Sequence, residues 1–287
     1  MRPVFFVSDL HGNPEKYEKL FDLISKEKPE LLLLGGDLFP SGVILNKPFQ
    51  QGKEDFLRDY LAEKLLILQK ELGDNYPLIL LILGNDDPRS EEKELISLEE
   101  KGIWRYIHKQ KIHYQGYNFF GYANVPPSPF LLKDWERFDV SGYIDPGSIS
   151  PLEGYRTVLK KSDDIEYYTI ARELEILSGD SDLFNAVFLF HAPPYNTNLD
   201  RAGLDGKMID HVPLDLHVGS IAIRRLIEER HPLITLHGHI HESARISGSW
   251  RDKIGNTYLF GAAHDGPELA LVLLDLENPE NTTRKLI

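Results

Sequence analysis

Cysteine is absent from all 287 residues of the chain, which excludes disulfides, thiolate metal sites and a cysteine nucleophile. Long apolar runs are missing too. None approaches the ~18–20 residues that a membrane-spanning helix needs, and the apolar stretch at residues 4–7 is too short for a secretory signal. Basic residues are in deficit, 32 against 45 acidic ones, for a net charge of −13. Nothing forms a basic stripe, which argues against long nucleic acid as a partner. Repeats, low-complexity tracts and long linkers are also lacking. What remains is the profile of a cytoplasmic globular protein without membrane contact, its 41% hydrophobic residues sufficient for a large core. An acidic chain can still act on phosphate where bound divalent cations reverse the local field.

Five short apolar runs have the length of strands covered on both faces: residues 4–7, 31–34, 78–83, 186–190 and 233–236. Each stops at a polar or glycine-rich turn. Between them, Asn13-Pro14 is an N-cap and first-turn pair for a helix with Tyr17, Leu20, Phe21 and Ile24 on one face. Leu57, Leu61, Leu65, Leu68 and Leu72 repeat the helical period, and residues 219–230 and about 170–177 predict two more helices. This alternation is α/β. Runs at 258–260 and 269–274 predict strands of a second or mixed sheet. We read residues 1–287 as one domain with an insertion at about 124–182, and 192–218 as a long loop of the kind that carries function.

In open α/β sheets, ligands bind beyond the carboxyl ends of strands. The five ends here carry Asp9, His11, Asp37, Asn85, His191, His239 and His241. These oxygen and imidazole donors suit first-row divalent metals. Asp9/His11 and His239/His241 are i, i+2 pairs, whose side chains point the same way in extended chain. Gly12, Gly35, Gly36, Gly84 and Gly238 permit tight turns and close approach. A lone Asp or His after a strand is ordinarily a cap or a surface residue, so the coincidence at five strand ends carries the metal reading. His237 is read as structural, and His108, His113 and His231 as solvated or hydrogen-bonded histidines.

Asp9-x-His11, Gly36-Asp37, Gly84-Asn85, His191 and Gly238-His239-x-His241, in that order, resemble the calcineurin-like metallophosphoesterases. The resemblance implies that family's α/β fold, a four-layer sandwich of two mixed β-sheets flanked by helices. It also implies two divalent cations, with Asp9, His11 and His241 on the first, Asn85, His191 and His239 on the second, and Asp37 bridging them. Such a pair clamps a phosphoryl group and acidifies a bridging water into the attacking hydroxide. Mixed O/N ligation points to Mn, Fe, Zn or Ni, with Mn favoured for activity. Asp37, Asn85, Asp86 and His191 are the expected catalytic residues.

One block departs from the pattern. Many members carry His after the Gly-Asn pair, where this chain has Asp86 and then Asp87. The chain thus resembles a branch that lacks this His and tends towards phosphodiesters. An aspartate beside cations stays ionised, so Asp86 is a poor general acid and would repel a doubly charged monoester. Its structural alternatives are capping a helix or pairing with Arg89. The expected reaction is hydrolysis of a small-molecule phosphodiester or activated phosphoester. The alternatives are a nucleotide pyrophosphatase or short-strand nuclease, and a non-catalytic binding or scaffold protein, against which the intact donor set weighs. Arg89, His217 and His264 are candidate substrate contacts, and either His could replace the missing acid. His217 precedes a helix start at Gly219-Ser220 whose free N–H groups could receive phosphate. Tyr122, Phe130 and Trp135 are read as packing residues.

Overall fold

Residues 2–40 and 55–287 are described by the computed structural model, and within them each apolar run singled out above forms a strand. Strands β1 (Val4–Val7), β2 (Leu31–Gly35), β3 (Leu78–Ile82) and β4 (Arg105–Tyr106) lie side by side in parallel. Parallel neighbours need long crossovers, supplied by α1 (Pro14–Glu27), α2 (Glu63–Leu72) and α3 (Glu92–Leu98). Then come β5 (Lys111–Tyr114), β6 (Tyr117–Tyr122), α4 (Ser162–Tyr167), α5 (Ile170–Ser178) and β7 (Ala186–Phe190). A small hairpin, β8 (Met208–Ile209) and β9 (Val212–Pro213), precedes α6 (Ile221–Arg230), β10 (Ile234–His237) and α7 (Ser243–Ser247). The chain closes with β11 (Arg251–Ile254), β12 (Thr257–Gly261), β13 (Ala270–Leu274) and β14 (Thr283–Leu286).

Among the described residues the first sheet has the order β14-β13-β1-β2-β3-β4 and the second β11-β12-β10-β7-β6-β5. Both are mixed: β13 is antiparallel to β1, while β11 and β5 are antiparallel edges on a parallel centre. The two late runs therefore separate, β12 joining the second sheet and β13 the first.

Period-2 alternation sorts the second sheet's side chains. Phe119, Val187, Leu189, Ile234 and Leu236 join the core shared with the first sheet, α1 and α2. Phe120, Phe188 and Phe190 pack on the other face under Leu174 of α5 and Ile223 and Ile227 of α6. The result is the expected four-layer α/β sandwich of two mixed sheets flanked by helices.

Local chemistry sets the helix starts. Asn13 accepts the N–H groups of Glu15 and Lys16, and α1 buries Tyr17, Leu20, Phe21 and Ile24 as the spacing predicts. The helix expected at 57–72 opens with a π-helical stretch, Leu57–Ala62. It buries Leu57, Leu61, Leu65 and Leu68 and leaves Leu72 half-buried. Tyr122 and Trp135 are fully buried packing residues, but Phe130, in the proline-rich turn, is exposed. No helix among the described residues is long and apolar enough to cross a membrane.

The sandwich brings the carboxyl ends of β1, β2, β3, β7 and β10 to one rim, where backbone hydrogen bonds lace their loops together. Asp9 N–H donates to the Gly36 carbonyl at 3.0 Å, His11 N–H to that of Asp37 at 2.8 Å, and Gly238 N–H to that of His191 at 2.9 Å.

Candidate metal centre

The i, i+2 pairs do not converge through extended chain, as the spacing suggested. Asp9 (φ 57°), His11 (φ 46°), Asp37 (φ 51°) and His239 (φ 74°) all adopt left-handed backbone. Each such residue costs about 1–3 kcal/mol unless its surroundings hold it. Here the laced loops hold them, and tight turns at the strand ends aim the side chains.

Donor atoms of Asp9, His11, Asp37 and His241 lie within 4.8 Å of one another. His241 Nε2 is 3.1 Å from His11 Nε2 and 3.2 Å from Asp9 Oδ1. Asp37 Oδ2 is 3.7 Å from His11 Nε2 and 3.3 Å from His191 Nε2. His191 Nε2 in turn is 2.9 Å from Asn85 Oδ1, and the His239 ring centroid is 5.2 Å from that of His191. Donors sharing one cation through ~2.0–2.2 Å bonds stand ~3 Å apart, so these spacings suit direct ligation.

Two further observations fit a cation. Asp9 Oδ2 is buried with no hydrogen-bond partner among the described residues, a costly state for a carboxylate oxygen unless a metal satisfies it. In addition, the buried carboxylates draw protons onto the imidazoles. Burial opposes both charges, yet Asp37 holds His191 up at about 10, and His191 holds Asp37 down at about 2. His241, also against burial, is raised to about 9 by Asp9, whose own carboxyl is held well below the usual range. Cation binding there would displace those protons. His239 behaves oppositely, pushed down to about 3 by burial and by His191.

Supporting contacts set the orientations. His191 Nδ1 is 2.8 Å from the Gly35 carbonyl, which places the ring proton there and leaves Nε2 facing Asp37 and Asn85. Asp37 Oδ1 accepts Asp86 N–H at 2.8 Å, which turns Oδ2 to the imidazoles. Sequence reasoning missed Asp87, whose only signal was its place behind Gly84-Asn85. Fully buried, it accepts the N–H groups of Phe39 and Gly84, each at 2.8 Å, and so clamps the β2 and β3 loops together. Burial, then Asp37, pushes its carboxyl up to about 8. Trp135 Nε1–H donates to the Asp87 carbonyl at 2.7 Å, which ties the 124–182 segment to this loop.

The other candidates make contacts of their own. Asp86 flanks the cluster, with Oδ2 3.6 Å from His11 Nδ1 and Oδ1 accepting Asn85 Nδ2–H; burial and Asp37 push its carboxyl up. The Asp86–Arg89 pair, one structural alternative for Asp86, does not form. Arg89 is captured by Glu92 one turn on (3.0 Å), by Asp134, and by the Trp135 ring, whose centroid is 4.3 Å away. His217 Nδ1 is 2.8 Å from Asp200 Oδ1, and buried Asp200 also takes the N–H groups of Asn196, Thr197 and Gly219. His217 thus belongs to its loop's own framework. His264 Nε2 is 2.9 Å from Glu268. The phosphate site expected at the start of α6 is corrected as well, because the Asp139 carboxylate already accepts the N–H groups of Ile221 and Ala222.

Of the remaining histidines, His108 is buried and accepts Ala123 N–H, His113 meets Asn118, and His231 caps α6. His237 is buried, with Nδ1 2.9 Å from the Ala192 carbonyl and Nε2 2.8 Å from Thr235 Oγ1. Burial pushes it from 6.5 down to about 3. A group that binds fewer protons folded than unfolded contributes stability above its unfolded pKa and loses it as pH falls. Chelator-treated protein should therefore lose urea stability as pH drops from 6.5 towards 4, and His237→Asn should flatten that slope. An unchanged slope contradicts the assignment.

A family model described as calcineurin-like phosphoesterase matches residues 2–243. An uncharacterized protein of Methanocaldococcus jannaschii is 45% identical over 253 residues, covering 88% of this chain and 83% of that protein. A Thermus thermophilus crystal structure superposes with a TM-score of 0.55 at 18% identity, covering 99% of this chain and 98% of that one. Another solved structure gives 0.56 at 17% identity, covering 100% and 98%. These two support the fold alone.

Proposed function

We infer the reaction from one premise: the chain belongs to the calcineurin-like phosphoesterase family, whose members are metal-dependent phosphoester hydrolases. We propose that it hydrolyses phosphodiester, or activated phosphoester, bonds of a small molecule. In this reading Asp9, His11 and His241 hold one divalent cation, Asn85, His191 and His239 a second, and Asp37 is shared. The observation that carries it is the position of Asp37 Oδ2, 3.7 Å from His11 Nε2 on one side and 3.3 Å from His191 Nε2 on the other. Bound divalent ions, Mn²⁺ by preference, would polarise the phosphoryl oxygens and lower the pKa of water.

The chain's own residues do the rest. Asp86 N–H and the Gly35 carbonyl fix Asp37 and His191 before substrate arrives. Asp86 supplies negative charge at the rim, which disfavours the second charge of a monoester. The 124–182 segment is read as an insertion in a single domain, supported by its Trp135 and Asp134 contacts to Asp87 and Arg89.

With Mn²⁺ restored to chelator-treated protein, bis-p-nitrophenyl phosphate should turn over faster than p-nitrophenyl phosphate. The reverse order contradicts the diester reading. Asp86→His adds a general acid and removes a charge. It should raise the monoester-to-diester ratio by about tenfold or more, and an unchanged ratio would remove Asp86 from the account of specificity.

A further inference from the structure

Away from the metal centre, a cavity of about 620 Å³ is lined by Lys109, Lys111, Arg137 and Lys160, gathered around Glu173 of α5. Four cations against the carboxylates of Glu173 and Asp164 make it a basic site in a chain of net charge −13. None of these residues belongs to the metal-centre set.

Arg137 is the informative member. It is only 3% exposed, and its Nε and Nη1 have no hydrogen-bond partner among the described residues. Its Nε stands 3.5 Å from Glu173 Oε1. That carboxylate is already committed to Lys109 Nζ (2.5 Å), the Tyr122 hydroxyl (2.8 Å) and Asn124 Nδ2 (2.7 Å). A buried guanidinium with unmet N–H groups carries a penalty, and Arg137 also lines the cavity, where an anion would offset its charge. Lys160 makes no salt bridge among the described residues, and its attraction to Glu173 is the weakest of the influences on it. Burial, then Arg89, Arg137 and Lys109, push it down to about 7. Tyr168, Ile176 and Leu177 add apolar surface to the lining.

We propose that this cavity binds a phosphorylated small molecule, its doubly charged oxyanion on Arg137, Lys111 and Lys160 and its apolar body against Tyr168 and Ile176. A guanidinium fork recognises a tetrahedral oxyanion through paired N–H bonds, and lysines add charge from flexible stems. The volume lies within the range of small-molecule sites.

Phenylphosphonate is a suitable probe, because it carries both features and its P–C bond resists a phosphoesterase. Titration calorimetry on the Mn²⁺-loaded protein should detect it, and one equivalent should persist in Asp37→Ala, which lacks the shared carboxylate of the metal centre. Lys111→Gln combined with Lys160→Gln changes one exposed and one half-buried side chain, neither in a salt bridge among the described residues, and should leave the thermal midpoint intact. It should weaken this equivalent about tenfold or more. Arg137→Lys, which keeps the charge and loses the fork, should weaken it as well. Wild-type-like affinity in the double lysine variant would overturn the proposal, as would loss of all binding in Asp37→Ala.

Discussion

Asp37→Ala is expected to lower phosphodiester turnover by about three orders of magnitude or more, because in the proposed reading it removes the ligand shared by both cation positions. The loss should exceed that of replacing any donor on one side alone. His11 and His191 would face each other across the gap without the carboxylate that now stands 3.7 and 3.3 Å from their Nε2 atoms. Asp86 N–H would also lose its acceptor, a smaller effect of about 1 kcal/mol on stability. Steady-state kinetics at fixed Mn²⁺, read beside metal content, checks this. Turnover within tenfold of wild type would show that Asp37 is not shared.

Gly84→Ala should be nearly as damaging, though it removes no donor atom. A Cβ there would lie 2.3 Å from Asp37 Oδ1 and 2.6 Å from His191 Cε1. Neither neighbour can retreat, since Asp37 Oδ1 is held by Asp86 N–H and the His191 ring by the Gly35 carbonyl. Overpacking of this kind costs about 1–3 kcal/mol, which corresponds to about 2–5 °C in the thermal midpoint of a chain this long. Because the displaced atoms belong to Asp37 and His191, two of the proposed ligands, turnover should fall about a hundredfold as well. Gly142→Ala, with nothing within 4 Å of its Cβ, should change neither. A Gly84→Ala protein that melts and turns over like wild type would mean the loops are looser than their packing indicates.

The strands and the donor set were readable in advance for a physical reason. Doubly covered parallel strands are apolar throughout, and the residues that follow them are relieved of packing and free to be chemical. Gly84 and Gly238 were readable as points of close approach, and a Cβ at Gly238 would indeed lie 2.5 Å from Asp9 Oδ2. What the sequence did not disclose were the carboxylates whose partners are backbone N–H groups far along the chain. Asp87 reaches Phe39, Asp139 fills the α6 start, and Asp200 organises the loop that contains His217. Backbone N–H groups are identical at every position, so composition and spacing carry no trace of such pairings. The contacts of Arg89 were hidden for a related reason, because Trp135 and Asp134 are distant in sequence and adjacent only once the chain is folded. The left-handed turns at Asp9, His11, Asp37 and His239 were hidden too, since they are imposed by the lacing between loops and not by residue type.

Anomalous scattering from crystals of the protein soaked in Mn²⁺ tests the central claim most directly. The account predicts two manganese peaks, one between Asp9, His11 and His241, the other between Asn85, His191 and His239, with the Asp37 carboxylate between them. A single peak, or peaks that leave Asp37 without a metal contact, would contradict it.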